Sequence, residues 1–332
     1  MKHRKKYTHN PRLPYLKLPF KWEGTPVDEN ARFVNHEHPH HNSWKDFFKW
    51  IFMKNPQKEE KKNEDWQLPV LSDPSFINSD KDCIVWLGHA SFFVRLEEFT
   101  LLIDPVFFNV SFIKRKSALP VNPDMFRELD YILVSHDHRD HCDKKSLKLL
   151  AKNNPDANYL TGLKLDSLIE TITGSENIQA AGWYQQYLTK EVKISYVPSR
   201  HWGRRYIMDL NHRLWGGFVI QGNKKTIYFS GDSAYGSHFS DIASIFPQID
   251  YCMIGIGAYK PPFIMEQSHL SPAQAIKAFA DTKAKAMIPM HYGTFDLSDE
   301  PMSEPLKILR KIQQESTEIN IRYLIPGEIE LI

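Results

Sequence analysis

From residue 83 onward, short apolar runs alternate with turn-forming residues. CIVWL (83–87), SFFVRL (91–96) and TLLID (100–104) are separated by GHA and EEF, a pattern that predicts adjacent strands. YILVS at 131–135 is apolar almost throughout, which predicts a strand covered on both faces. KKSLKLLAKN after it and TGLKLDSLIETI at 161–172 carry helical spacing. VKISYVP, RLWGGFVIQG, KTIYFSGD and YCMIGIG restore the strand pattern, and SPAQAIKAFADT predicts a helix capped by Ser271 with Pro272 in its first turn. KAMIPM, a helix around EPLKILRKIQQ, and IRYLIP complete the chain. Strand-rich blocks with interposed helices predict sheets sandwiched between helical layers, an α+β arrangement.

Residues 1–80 lack this rhythm and are expected to form an irregular leader. SWKDFFKWIF predicts one short amphipathic helix within it, and NPQKEEKKNEDWQLP reads as a charged connector. His36, His38, His40 and His41 crowd together, but Pro39 interrupts any regular face, so a surface segment is expected there. The body, residues 81–332, shows no internal linker and is expected to form the catalytic domain.

Composition narrows the class. With 42% hydrophobic residues among 332, the chain can bury a sizeable core. Forty-two Lys and Arg against 40 Asp and Glu leave a formal charge of +2, giving no global reason to bind nucleic acid. Cys83, Cys142 and Cys252 are odd in number and far apart, which argues against a disulfide scaffold. Neither an export signal nor a membrane-spanning run is visible, so a cytoplasmic protein is expected. Residues 1–22 carry Lys2, Arg4, Lys5, Lys6, Arg12, Lys17 and Lys21 and no acid. Such an arm can rest on anionic lipid, at about 1 kcal/mol per basic residue near the surface, or remain a solvated tail.

The unusual polar residues fall just after strands. SHDHRDH at 135–141 sets His136, His138, Asp140 and His141 directly beyond YILVS. His201 follows VKISYVPSR, Asp232 follows KTIYFSG, and His291 follows KAMIPM. Rigid strands can aim such side chains at a common point. Imidazole and carboxylate donors suit Zn²⁺, and there are enough of them for two ions. His136, His138 and His201 can hold one, Asp140, His141 and His291 the other, with Asp232 between them. A lone His201 or His291 would more often be structural, and spacing alone does not bring the distant three to the 136–141 loop. Asp104, ending TLLIDP, can orient a ligand histidine by accepting its second N–H, or serve as a strand-end turn carboxylate. His89 in LGHAS can share that role or be a satisfied buried histidine.

HDHRDH, PSRHW (198–202), GDSAY around Asp232 and HYGTF (291–295) resemble the metallo-β-lactamase superfamily of binuclear hydrolases. With RFVN (32–35), GHAS (88–91), IDPVF (103–107), LWGG (214–217) and IGAYKP (256–261), the chain looks closest to the N-acylphosphatidylethanolamine-hydrolysing phospholipase D family, which are zinc phosphodiesterases. The resemblance implies a four-layer αββα sandwich with two Zn²⁺ per chain at one edge of the β core. It assigns the metal to His136, His138, Asp140, His141, His201, Asp232 and His291, with Asp140 also acting in catalysis. It also places an active-site histidine at His269, in EQSHLSP, although Ser268 and Ser271 replace a glutamine and an aspartate of the family pattern. The alternative for His269 is a role in organising the turn before Ser271.

The implied reaction is hydrolysis of an N-acylphosphatidylethanolamine-like phospholipid to phosphatidic acid and an N-acylethanolamine. DFFKWIF (46–52) and PVFF (105–108) can line an acyl path or be ordinary core. Competing expectations are a small-molecule metallohydrolase such as a sugar-phosphate lactonase, and a noncatalytic lipid-binding protein. Sequence leaves the oligomeric state open.

Overall fold

The computed structural model describes residues 6–39, 44–315 and 318–332. His40, His41 and the first five residues of the basic arm lie outside that set. The leader contributes β1 (Lys6–Thr8), β2 (Thr25–Val27), α1 (Trp44–Phe52) and α2 (Lys58–Asn63). The first half of the body runs β3 (Cys83–Gly88), β4 (Ser91–Leu96), β5 (Phe99–Ile103), β6 (Tyr131–Val134), α3 (Lys144–Asn153), β7 (Asn158–Gly162), α4 (Asp166–Thr173) and β8 (Ile178–Ala181). The second half begins with β9 (Gln185–Gln186), β10 (Lys193–Val197), β11 (Gly217–Gln221), β12 (Thr226–Phe229) and α5 (His238–Ile245). It continues through β13 (Tyr251–Gly255), α6 (Pro262–Met265), α7 (Pro272–Thr282), β14 (Ala286–Met290), α8 (Glu304–Glu315) and β15 (Ile329–Leu331).

Two large sheets result, flanked by helices as four αββα layers. One has the order β15-β3-β4-β5-β6-β7-β8 and the other β14-β13-β12-β11-β10-β9. Side-chain alternation explains the layering. Ile84 and Trp86 of β3 and Tyr131 and Leu133 of β6 join the core between the sheets. Val85, Leu87, Ile132 and Val134 instead pack with Leu147 and Leu150 of α3 and Ile169 of α4. On β12 the neighbours Tyr228 and Phe229 part in the same way. Phe229 meets Phe92 of the facing sheet, while Tyr228 meets Phe239 of α5. The all-apolar strand YILV thus has a covered surface on each side.

Strand direction places the site. β5 through β8 are parallel, as are β12, β13 and β14. Their C-terminal ends emerge along one edge, together with the β3–β4 hairpin tip. Helix α7 starts with a complete capping box between Ser271 and Gln274, which fixes the loop before it.

Three local expectations need correction. TGLKLDSLIETI is not helical from its start, because residues 158–162 form β7 and the helix begins at Asp166. Gly162 belongs to that ladder, and a Cβ there would come within 2.5 Å of the Tyr196 hydroxyl. IRYLIP makes only an isolated bridge, Met287 to Ile321; the terminal strand is β15, formed after the chain reverses at Gly327 and pairs with β3. The charged connector contains α2, pinned by Lys61 against Asp296 at 2.5 Å and followed by Glu64, which accepts from the amides of Met302 and Ser303. The amphipathic helix is present as α1, with Phe48, Ile51 and Phe52 exposed.

The leader is less loose than its sequence suggests. Leu13, Val27 and Phe33 are buried in the main core, and residues 14–16 bond along β9 and Tyr184, covering that sheet edge. PVFF divides: Phe107 is buried and stacked on Phe126, while Phe108 is more exposed. Among the described residues no helix is long and apolar enough to cross a membrane.

Candidate metal centre

Three residues at the strand ends of the centre are held under local constraint. Asp104, His89 and His291 sit at φ +41°, +53° and +64°, conformations that cost non-glycine residues on the order of 1–3 kcal/mol. Backbone bonds hold them there: Asp104 N donates to Leu133 O at 2.8 Å, His291 N to His89 O at 3.0 Å, and His89 N to Thr294 Oγ1 at 2.8 Å. The sharp turns redirect these side chains from the strand faces toward the shared edge.

Two groups of donors meet there. In the first, His138 Nδ1 lies 3.0 Å from His136 Nε2 and 3.1 Å from His201 Nε2. Asp232 Oδ2 is 3.9 Å from His136 Nε2 and 3.8 Å from His201 Nε2. The second group is His89, Asp140, His141 and His291. Asp140 Oδ2 stands 3.7 Å from His141 Nε2 and 3.8 Å from His291 Nε2, and 3.0 Å from His89 Nε2. Asp232 Oδ2 also reaches this group, 3.1 Å from His141 Nε2 and 3.2 Å from His291 Nε2. One carboxylate oxygen therefore faces both clusters.

These separations fit a metal. Ligands about 2.1 Å from a tetrahedral zinc lie about 3.4 Å from one another, and the distances above bracket that edge. His141 Nε2 and His291 Nε2 are buried and make no well-aligned hydrogen bond, their nearest acceptor being Asp232 Oδ2 at 3.1 and 3.2 Å. Such orphaned atoms are costly in a folded protein unless something outside the polypeptide pairs with them. Each group can coordinate a divalent metal ion.

Neighbouring groups set the ring orientations. His141 Nδ1 lies 2.7 Å from Asp104 Oδ2, and Asp104 accepts from the Ser135 amide at 2.7 Å and its hydroxyl at 2.5 Å. His201 Nδ1 lies 2.9 Å from the Ser268 carbonyl, so the ring presents Nε2 to the centre. Asn35 clasps the His201 backbone, donating to its carbonyl at 2.9 Å and accepting from its amide at 3.3 Å.

The electrostatics match. Burial pushes the His136 imidazole well below its ordinary value, helped by His141, His138 and His201. Burial does the same to His201, against the opposing pull of Asp232. Burial is the largest influence on Asp140 and Asp232 and works against their charged forms, yet His141 together with His89 beside Asp140, and with His291 beside Asp232, outweighs it and holds both well below the carboxylate range. His141 is driven well above its usual value because Asp232, Asp140 and Asp104 together overcome its own burial. The protein alone thus gathers carboxylates around the His141 ring, the surroundings a divalent cation requires.

His269 stands at the mouth, with 16% of its side chain exposed and Nδ1 3.9 Å from Asp232 Oδ2. Burial lowers it to about 4, so it is neutral at physiological pH. The structure brings together every residue proposed from sequence as a ligand. Cys142 is buried, and its thiol is raised to about 12 by burial. Sequence reasoning did not single out Asn35 or the Ser268 carbonyl. His89 stood undecided; its one signal was the GHA turn between two strands, at the same edge as the other exits.

The β-lactamase superfamily domain model matches residues 100–292. A Caenorhabditis elegans protein named N-acyl-phosphatidylethanolamine-hydrolyzing phospholipase D 1 is 30% identical over 271 residues, covering 76% of each chain. Among solved structures, Igni18, a metallo hydrolase from Ignicoccus hospitalis, superposes with a TM-score of 0.58 at 15% identity over 76% of this chain and 98% of its own. Isothiocyanate hydrolase from Delia radicum gut bacteria superposes with a TM-score of 0.62 at 16% identity, covering 75% and 98%. At such identities these likenesses establish the fold alone.

Proposed function

The chain belongs to the β-lactamase superfamily of metal-dependent hydrolases, and from that premise we propose that it is a binuclear zinc phosphodiesterase. Its substrate is an N-acylphosphatidylethanolamine-like phospholipid, cleaved in phospholipase D manner to phosphatidic acid and an N-acylethanolamine. The observation that carries the two-ion reading is Asp232 Oδ2 within 4 Å of ring nitrogens from both donor groups. The substrate class rests on the likeness to the C. elegans enzyme.

His136, His138 and His201 would hold one zinc and Asp140, His141 and His291 the other, with Asp232 near both donor groups. Two zinc ions bound there supply Lewis acidity toward a phosphate oxygen and lower the pKa of water. Asp104 keeps His141 in the tautomer that offers Nε2, and His89 holds the Asp140 carboxylate in place from the far side. Asp140 would serve as both ligand and catalytic residue, its carboxylate held ionised by its histidine neighbours. His269, neutral and at the open side, would donate an N–H hydrogen bond to a phosphate oxygen or to the leaving oxygen while keeping its proton. The basic arm at residues 1–22 is proposed to rest on anionic membrane, bringing the mouth to the lipid surface.

His269→Ala is expected to retain full metal content while kcat falls by about a hundredfold. Unchanged kcat would leave the residue a turn-organising role only. Asp104→Asn is expected to weaken zinc binding by about 10- to 100-fold, read by competition with a chromophoric chelator. Wild-type affinity in that variant would mean that Asp104 serves Ser135 rather than the centre. The function itself is tested by offering zinc-loaded protein a panel of N-acylphospholipids, ordinary phospholipids, cyclic phosphodiesters and lactones, with products identified by mass. Free N-acylethanolamine is the expected product. Turnover confined to lactones would instead identify a small-molecule hydrolase, and vesicle binding without turnover a noncatalytic lipid-binding protein.

A further inference from the structure

The loop after His201, residues 202–213, grips the 137–142 turn through side chains that belong to neither donor group. It is first closed on itself. Asn211 N donates to Gly203 O at 2.7 Å, and Asp209 Oδ1 accepts from the amides of Arg205 at 3.1 Å and Tyr206 at 2.7 Å. Asp side chains commonly stabilise turns by bonding nearby backbone in this way. Two arginines then reach across. Arg205, only 7% exposed, donates through Nη1 to Cys142 O at 2.7 Å and Asp137 O at 3.3 Å. Arg213 Nη1 donates to Asp137 Oδ2 at 3.1 Å and to Asp209 Oδ2 at 2.6 Å. Hydrogen bonds from a charged donor are the stronger kind, and a guanidinium is costly to bury unless it makes them.

His138 accounts for the grip. His136 Nδ1 lies 2.9 Å from Ser135 Oγ, His141 Nδ1 2.7 Å from Asp104 Oδ2, and His201 Nδ1 2.9 Å from Ser268 O. Each of those rings is oriented from behind by a polar neighbour. His138 turns Nδ1 toward His136 and His201, but its Nε2 is buried with no hydrogen-bond partner among the described residues. The direction of this ring is therefore set by its backbone and by Trp202, which meets it edge to face at 4.5 Å and 72°. Both of those lie under the control of the 202–213 loop. Trp202 belongs to it, and the backbone is held where the arginine acts. The carbonyl of Asp137 directly precedes His138, and Cys142 N donates to His138 O at 2.8 Å. A guanidinium bonded to the carbonyls of 137 and 142 thus fastens the turn that carries His138 at both ends.

We propose that Arg205 is a positioning residue of the metal centre. Its guanidinium holds the 137–142 turn, the Asp137–Arg213 pair ties down the side chain next to His138, and together they aim His138 Nδ1 at the ion bound with His136 and His201. The inference rests on the first donor group holding a metal ion and is independent of what the enzyme hydrolyses. The second group has its own supports, Asp104 on His141 and His89 on Asp140. Arg205 therefore bears on one ion more than on the other.

The test is a double-mutant cycle on zinc affinity in the full chain, read by competition with chromophoric chelators of graded strength. Arg205→Met keeps the aliphatic stem and removes the donors. It is expected to weaken one zinc equivalent by about 10- to 100-fold and the other by less than about threefold. In the His138→Ala background the same substitution is expected to change neither by more than about threefold, because the ring through which Arg205 acts is gone. Arg205→Lys keeps the charge and is expected to recover part of the loss. Wild-type affinity in Arg205→Met, equal weakening of both equivalents, or a loss that adds in full to that of His138→Ala would each overturn the proposal. Should Arg205→Met fail to fold, Arg213→Met releases the same turn and takes its place in the cycle. A wild-type chain binding a single equivalent would overturn the two-ion reading, and the cycle would still decide whether Arg205 acts on that ion through His138.

Discussion

Asp232→Asn is expected to lower kcat by about a thousandfold or more and to reduce the zinc content below that of the wild type. The size of the effect follows from position. Asp232 Oδ2 lies 3.1 Å from His141 Nε2, 3.2 Å from His291 Nε2 and 3.8 Å from His201 Nε2, so one atom serves both donor groups. An amide of the same shape keeps the packing but removes the shared negative charge. Two cations held close together then repel one another without compensation. Elemental analysis beside single-turnover kinetics decides the matter. A variant with full zinc content and near-normal turnover would show that the two ions do not share this carboxylate.

Removing the metal is expected to abolish hydrolysis and to soften the fold in the same step. Asp104 and Asp232 are buried around His141 with Asp140 partly buried beside them, and without a divalent ion that protonated ring is left to balance them. A ligand present at about a thousand times its dissociation constant adds about 4 kcal/mol of stability. For a chain of this size that raises Tm by on the order of 10 °C. Chelated protein should therefore melt earlier, and about two equivalents of zinc should restore both melting temperature and turnover. Turnover persisting in protein verified as metal-free would refute the mechanism. Restored turnover with no change in melting would refute the electrostatic account of stability.

Local chemistry made much of the fold legible. The short apolar run SFFVRL and the unbroken apolar YILV report, respectively, a strand and a strand with two covered faces, and both are observed. SPAQ carries its own helix start, because the Ser271–Gln274 capping box closes within four residues. The leader was less readable. Leu13, Val27 and Phe33 have no regular spacing, and their burial depends on surfaces formed far along the chain. The strand ending at Gly162 was hidden for a similar reason. Helical spacing in GLKLDSLIETI is genuine, but the first residues of that stretch are claimed by ladder bonds to β6 and β8.

The site divides along the same line. By itself the sequence determined the donor types and put four of them within HDHRDH, because loop residues adjacent in sequence stay adjacent in space. Tertiary structure decided that His201, Asp232 and His291 meet that loop, since two sheets must pack before their strand ends share an edge. It also decided the place of His89, whose Nε2 faces Asp140 only because the β3–β4 hairpin tip reaches the same rim. The physical reason is that strand spacing fixes local direction, whereas convergence depends on how buried apolar faces dock, and no local pattern encodes that docking.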